Sequence, residues 1–560
     1  MKKLKIVSLV LGLSVIFAAC SNDGGDSGDS SENKQIYTIP DNVNSFTFSD
    51  SDEGKDCFVV YSNVQSQPQY KAQNSIDFNK YNAETTEELN NKELTLYKRA
   101  MKFRDGSYRD ELHFNYENLP DINSKNYRAA QPYEGIKNYY NDHSDNKFYV
   151  MSDDLAEPKL KEFELKITGD HCRIWVIKND PYLNDNTDFS SLKNAIDSVF
   201  VKETSIFGSN LVNGGNFAIT TNKDTKLDIL IYDITGDGVD NPEAGVYGYF
   251  RPLDFYQNDY IVTQGYGSAT SNECQVINAD SYFLKCDLDG YEDSKGNNIK
   301  THKVESTLIH EFQHLLNFCT KGGQYSTWFT EMLAMSAEDV FQTQINLSDI
   351  DAPRSRFDIT FNKPYIGFKD WPATDDDNVY YAYANSYAFG AYLMRNYGGI
   401  DLINLIATIP YSDEEAVTKS LQMLGYNETF ESVFKKFGAV YVLTEKDSLL
   451  TLNKDVKQSF NNVKYELTSI NLSEYIFNKF DSLDELRDYV KTNLYNSEFN
   501  YYNGQKAVYL GGPEIYNSSY KLSEPINPYG FTVFYAGKVQ SGQTLSVNRD
   551  SDLSVTLVLK

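Results

Sequence analysis

The chain has 560 residues, too many for one ordinary hydrophobic core, and this length predicts two to four domains of roughly 100–250 residues. Hydrophobic residues at 41% and charged residues at 23% exclude a largely disordered protein. The 79 acidic residues outnumber the 52 basic ones, for a net charge of -27. Such a surface repels phosphate backbones, so nucleic acid is not an expected partner.

Residues 1–20 have the layout of an export signal. Lysines near the start precede an apolar run that ends at Phe17, and two alanines then lead to Cys20. This ending resembles a bacterial lipobox and predicts a lipid on Cys20, whereas the alternative is an ordinary cleaved signal with an incidental cysteine. Residues 21–35 are rich in Gly, Ser and Asp and predict a flexible tether. We expect an exported, membrane-anchored lipoprotein that faces the periplasm or the cell surface.

Strand patterns dominate both flanks of the remaining chain. Residues 36–190 consist of short alternating segments parted by turn residues, which predicts an N-terminal β-rich domain. Residues 458–560 repeat this pattern around one helical patch near 483–495, which predicts a C-terminal β-rich domain.

The residues between the flanks, 191–457, predict a mixed domain. A helical period begins at Leu192 and is closed by Gly208. Helical patterns dominate again from Val304 to about Thr444. Three largely apolar runs between these helices predict strands, at residues 227–234, 246–250 and 274–284. The chain is therefore predicted to be a multidomain α+β protein.

Five cysteines follow Cys20, and their odd number leaves at least one thiol unpaired within the chain. Cys274 and Cys286 are the favoured disulfide pair because they are close in sequence. The alternative is that all five are small buried hydrophobic residues.

A metal-binding pattern occurs at His310-Glu311-Phe312-Gln313-His314. Residues four apart on a helix lie on the same face, so His310 and His314 can bind one Zn²⁺ ion. Glu311 projects alongside and can take a proton from the attacking water. The flanking leucines and Phe312 have amphipathic helical spacing, which a chance occurrence on the surface would lack.

A catalytic zinc site requires a third protein ligand. Gly322-Gly323 ends the first helix, and a second helical pattern starts near Thr327 with Glu331 in its first turns. So short a link folds the second helix back beside the first, which favours Glu331 as the third ligand. Glu338 and Asp339 are the rival candidates, and either is alternatively a carboxylate that orients a histidine.

Several segments resemble the hyicolysin family of gluzincin metallopeptidases in content and order. They read DILIYDITGDG, GYF, NECQVINADSYFL, STLIHEFQHLLNF and WFTEMLAMSAED, and the resemblance covers about residues 227–340. It implies a thermolysin-like catalytic domain, with a mixed sheet on the zinc helix and a helical lobe behind it. It also implies that His310, His314 and Glu331 bind zinc and that Glu311 is catalytic. Met332 departs from the small residue usual after the ligand glutamate.

The tetrahedral oxyanion of peptide hydrolysis needs a donor opposite the metal. No histidine occurs after His314, so a downstream tyrosine is the natural substitute. Tyr383 is the favoured residue, and Tyr380, Tyr381 and Tyr387 are its neighbours in the same segment. The alternative for these tyrosines is helix packing.

A second candidate cation site follows the strand at residues 227–234. Its oxygen-bearing side chains precede or follow glycine at alternating positions, which suits Ca²⁺. They are Asp233, Thr235, Asp237 and Asp240. Ala244 stands where a bidentate acid is expected, so an Asp/Gly turn is the alternative.

Three functions remain open from the sequence. The favoured one is a lipid-anchored zinc endopeptidase with protein or peptide substrates, in contact with the membrane only through Cys20. The second is a non-catalytic surface binding lipoprotein with a structural or decayed zinc site, against which the intact Glu311 argues. The third is a zinc hydrolase of small peptides or other amides.

Overall fold

The computed structural model describes residues 35–70, 76–78, 92–93, 108–110, 140–151, 158–211, 218–219, 222, 224–234, 244–292, 298–347, 353–357, 363–372, 378–495, 500–503, 508–547 and 552–560. The predicted export signal and most of the predicted tether lie outside these residues. No helix in the described ranges is long and apolar enough to cross a membrane.

The described strands are, in chain order, β1 (Ile36–Ile39), β2 (Ser45–Thr47), β3 (Asp56–Ser62), β4 (Ile76–Phe78), β5 (Lys92–Glu93), β6 (Tyr108–Asp110), β7 (Lys147–Met151), β8 (Pro158–Thr168), β9 (Cys172–Ile177), β10 (Leu227–Tyr232), β11 (Ala244–Val246), β12 (Gly248–Phe250), β13 (Val276–Asp280), β14 (Tyr291–Glu292), β15 (Asn298–Ile299), β16 (Val456–Phe460), β17 (Val463–Leu467), β18 (Ile476–Phe480), β19 (Asn500–Asn503), β20 (Val508–Gly511), β21 (Tyr516–Asn517), β22 (Phe531–Lys538), β23 (Thr544–Val547) and β24 (Ser554–Leu559).

The described α-helices are α1 (Ser190–Phe207), α2 (Asn258–Gln264), α3 (Ser281–Asp289), α4 (Lys303–Lys321), α5 (Thr327–Phe341), α6 (Asn378–Asn396), α7 (Gly399–Thr408), α8 (Asp413–Met423), α9 (Phe430–Phe437) and α10 (Leu483–Asn493). A mixed α/β protein with a helical lobe, as the sequence patterns indicate, is therefore present.

A six-stranded mixed sheet lies beside the helix that carries the His310 motif. Its strand order is β12-β13-β10-β9-β8-β7, and β10 runs parallel to both β9 and β13. All side chains of β10 are buried, as expected for a central strand covered on both faces. Phe200 of α1 stacks on Phe312 of α4 with ring centroids 4.8 Å apart, which packs α1 against α4.

The predicted strand at residues 274–284 is only partly correct. The strand β13 ends at Asp280, and α3 begins at Ser281. The Asp280 side chain accepts a hydrogen bond from the backbone N–H of Phe283, so Asp280 caps the helix and ends the strand. The apolar run continued through this cap, which concealed the change of structure.

Strands from the two ends of the chain share one sheet, in the order β1-β24-β3-β22-β21. The strand β3 lies between β22 and β24 and is antiparallel to both. The strands β7, β8 and β9 instead join the six-stranded sheet with β10. Strands from either side of residue 190 therefore share one sheet, and strands from the two β-rich flanks share another. The domain limits near residues 190 and 457 stay predictions.

The expected disulfide between Cys274 and Cys286 is absent, and none of the five cysteines in the described ranges forms a disulfide. Cys274 is buried two residues before β13, whereas Cys286 is exposed on α3. Closeness in sequence did not bring the two thiols together because the chain changes from strand to helix between them. The other three cysteines are buried, as small hydrophobic residues commonly are.

Candidate metal centre

The helices α4 and α5 form the predicted hairpin. The helix α4 ends at Lys321 and is followed by Gly322 and Gly323, with φ angles of 76° and 85°. Glycine suits this left-handed conformation, and the turn leads directly to α5 at Thr327. Every residue of α4 from Val304 to Cys319 is buried, so the metal-binding motif lies inside the protein.

The side chains of His310, His314 and Glu331 converge between the two helices. The Nε2 atoms of His310 and His314 are 3.0 Å apart. One Glu331 oxygen is 3.1 Å from His310 Nε2, and the other is 3.3 Å from His314 Nε2. The three residues are 0%, 6% and 0% exposed, and they form the one His/Cys/Asp/Glu group with metal-ligand spacing among the described residues.

Contacts on the far side of each imidazole orient its Nε2 atom inward. His310 Nδ1 lies 2.8 Å from Glu338 Oε1, so the ring donates its proton to that carboxylate. His314 Nδ1 lies 2.9 Å from Thr330 Oγ1, which also accepts from Asn317. A partner on Nδ1 fixes the tautomer of a metal-binding histidine.

The donor set fits a zinc ion. With Nδ1 protonated, both Nε2 atoms present lone pairs to each other and to the Glu331 carboxylate, and such acceptors repel unless a cation lies between them. At Zn–N distances of about 2.0–2.1 Å, neighbouring ligands of a tetrahedral zinc ion are about 3.3 Å apart. The three observed separations are close to this spacing. His310, His314 and Glu331 could therefore hold Zn²⁺ with little movement.

The sequence left Glu338 with two possible roles, as a metal ligand or as a carboxylate that orients a histidine. Glu331 and Glu338 are seven residues apart, which is two helical turns, so both face α4. They hold opposite nitrogens of His310, and the Ser306 hydroxyl donates to the second oxygen of Glu338. Asp339 instead contacts Arg395 of α6, away from the histidines. The sequence analysis missed Ser306, Thr330 and Asn317. Only their positions on α4 and α5, within a turn of the metal-binding residues, could have indicated a role for them.

The structure gives burial for Glu311 and packing contacts for Tyr383, the two other predicted site residues. Glu311 is 3% exposed and follows His310 on α4. Tyr383 is buried on α6, where Trp371 packs edge-on at 4.9 Å and the Arg356 guanidinium lies 4.5 Å from the ring centroid. Its role as an oxyanion donor stays a prediction.

Calcium binding has no support in the described residues. Of the four residues considered for it, only Asp233 is among them, and Thr235, Asp237 and Asp240 lie outside.

The sequence analysis also missed a buried acid on α1. Glu203 is 1% exposed, and its Oε1 atom has no hydrogen-bond partner within the described part of the chain. Burial is the main cause that raises the pKa of Glu203 well above its usual range, and the negative charge of Glu338 raises it further. A protonated carboxyl is the form that such an environment favours.

Glu203→Gln should therefore stabilise the protein increasingly as the pH rises from 4 to 8. At pH values below the pKa that Glu203 has in the unfolded chain, its carboxyl is neutral in both the folded and the unfolded state. Above it, only the unfolded chain ionises, so the wild type loses stability that the glutamine variant keeps, at up to about 1.4 kcal/mol per pH unit. Urea unfolding of both metal-free proteins across this range measures the difference. A difference that does not change with pH would contradict the prediction.

No family model matches the chain. The neutral metalloprotease ShpI of Staphylococcus hyicus is similar to it, with 27% identity over 271 residues, which is 46% of this chain. The matched region is 53% of ShpI, so the chain spans about half the length of this relative. The similarity and the buried His–His–Glu group together indicate a relationship to metalloproteases.

Proposed function

We propose that the chain is an exported zinc endopeptidase of the hyicolysin type of gluzincin, with a thermolysin-like catalytic domain between β-rich flanks. The observation that supports this most strongly is the convergence of His310, His314 and Glu331, with Glu311 next to His310 on the same buried helix. The similarity to ShpI, which is named a neutral metalloprotease, adds support. Protein or peptide substrates follow from this proposal.

His310, His314 and Glu331 would hold the zinc ion. When bound, Zn²⁺ supplies a Lewis acid that polarises a carbonyl oxygen and acidifies a water molecule. Glu338 keeps the proton of His310 on Nδ1, so that Nε2 stays available as a ligand. Thr330 has the same role for His314.

Glu311 performs the proton transfers of the proposed mechanism. Its carboxylate accepts a proton from the attacking water and passes it to the leaving amine nitrogen. Its burial strengthens its electrostatic interaction with the developing charges. Tyr383 donates a hydrogen bond to the oxyanion in this proposal.

Paired digests test the proposed function. We use the term ectodomain for the chain from Ser21 onward, without the predicted export signal. The purified ectodomain is incubated with casein and with a short-peptide library, each with and without a chelator, and zinc is then restored. Casein cleavage that the chelator abolishes and zinc restores is the expected result. Cleavage of short peptides alone would indicate a small-peptide hydrolase. Stoichiometric zinc without any cleavage would indicate a binding lipoprotein.

The proposed location is the bacterial membrane, through a lipid on Cys20. In a bacterial host, the full-length chain should enter the detergent phase on phase partitioning, and Cys20→Ser should move it to the aqueous phase. One acyl modification changes partitioning because each buried CH₂ contributes about 0.8 kcal/mol. A wild-type chain found entirely in the aqueous phase would exclude the anchor.

A further inference from the structure

A buried charge cluster lies directly beside the metal centre. Asp339 follows Glu338 on α5, and the Arg395 guanidinium of α6 binds both of its oxygens, at 2.7 Å and 3.2 Å. Arg354 adds a contact of 3.4 Å to the same carboxylate. The three residues are at most 3% exposed. We call Asp339, Arg354 and Arg395 the arginine clamp.

The clamp carries one more positive charge than negative charge, which the protein interior must compensate. The carbonyl oxygen of Thr468 does so by accepting from Arg395 at 2.7 Å and from Arg354 at 2.8 Å. The Ser469 carbonyl accepts from Arg354 at 3.2 Å. The segment after β17 therefore completes the clamp, although it lies in the range predicted as a separate C-terminal domain.

Helix geometry connects the clamp to the metal ligands. Successive residues of an α-helix are rotated by about 100°, so Glu338 faces His310 while Asp339 faces Arg395 of α6. Fixing Asp339 fixes the rotation of α5 about its axis. Any rotation or slide of α5 would move Glu331 and Glu338 together, since both are on the same helix.

We propose that the arginine clamp, completed by Thr468, is a positioning unit that sets the affinity of the metal centre by fixing the rotation of α5. This inference rests on the proposed zinc binding of His310, His314 and Glu331. The clamp residues act through Glu331 and Glu338 and are not among the three converging metal ligands. A merely structural clamp would change the stability of the protein and leave the zinc affinity of the folded protein unchanged.

Arg395→Met tests the proposal in the full ectodomain. The variant removes the bidentate contact and keeps most of the side-chain volume. Zinc affinity, measured by competition with a chelator on the folded fraction, should fall about 10–100-fold, the usual effect of losing a residue that orients metal ligands. Arg395→Lys should recover part of this loss because it restores one charged contact.

Arg173→Met is the matched control. Arg173 also binds a buried aspartate in a bidentate manner, with distances of 2.6 Å and 2.8 Å to Asp228. Its remaining partner is Asp224, so its hydrogen bonds reach neither α4 nor α5. The control should lose stability and retain wild-type zinc affinity.

Wild-type zinc affinity in folded Arg395→Met would overturn the proposal. If that variant does not fold, Arg354→Met and Arg395→Lys are measured instead, and unchanged affinity in both would overturn it equally. The proposed function fails separately, when the wild type itself binds no zinc. A wild type that binds zinc and cleaves peptides, beside an unaffected Arg395→Met variant, disproves only the positioning role.

Discussion

His314→Ala should lose both zinc and peptidase activity. The wild-type ectodomain should contain about one zinc per chain, and the variant should contain close to none after dialysis, because a catalytic site needs three protein ligands. Activity should fall by at least about a hundredfold with the metal. Zinc should also raise the melting temperature of the wild type only, since a ligand stabilises the state that binds it. Metal analysis and thermal unfolding on the same samples measure both effects.

His302→Ala is the control for this prediction. His302 directly precedes α4 and contacts Glu305, and it is not one of the three converging ligands. It should keep both zinc and activity. Stoichiometric zinc in a variant that lacks both His310 and His314 would show that the metal is bound elsewhere.

Much of the metal centre could be predicted because its information is local. The spacing of His310 and His314 places both on one face of a helix, whatever the rest of the fold does. The two glycines after Lys321 force a short turn, and the structure accordingly brings Glu331 to within 3.3 Å of both histidines. Glu338 was harder to assign because its partner depends on the exact rotation of α5. That rotation depends on tertiary contacts of α5, with α4, with α6 and with the arginine clamp, which the sequence pattern does not contain.

The sheet that joins both ends of the chain could not be predicted. The apolar run of β3 indicates a strand, and every residue after Asp56 is buried, but the run carries no information about pairing partners. Val59 of β3 lies opposite Phe534 on one side and Leu557 on the other. These contacts span more than half of the sequence. Buried Glu203 was equally invisible because one acid in an amphipathic helix normally indicates its solvent face.

The outcome for Glu311→Gln separates a peptidase from a zinc-stabilised binding protein. The substitution keeps the shape of the side chain and removes the proton acceptor. Glu311 is not one of the three converging ligands, so the variant should fold and retain zinc. A general acid–base group contributes about 10²–10⁴-fold to turnover, so kcat/KM should fall at least about a hundredfold. Assays with a fluorogenic peptide beside metal analysis of the same sample measure both quantities.

Glu305→Gln is the matched control on the same helix. Glu305 is also buried, at 9% exposed, and it accepts a hydrogen bond from Ser191 of α1 at 3.2 Å. A glutamine there removes a carboxylate from α4 without removing the proposed base, so activity should stay near that of the wild type. A zinc-free Glu311→Gln variant would mean that this side chain supports the site itself. Near-wild-type turnover in Glu311→Gln would overturn the mechanism, since no other group in it accepts the proton of the attacking water.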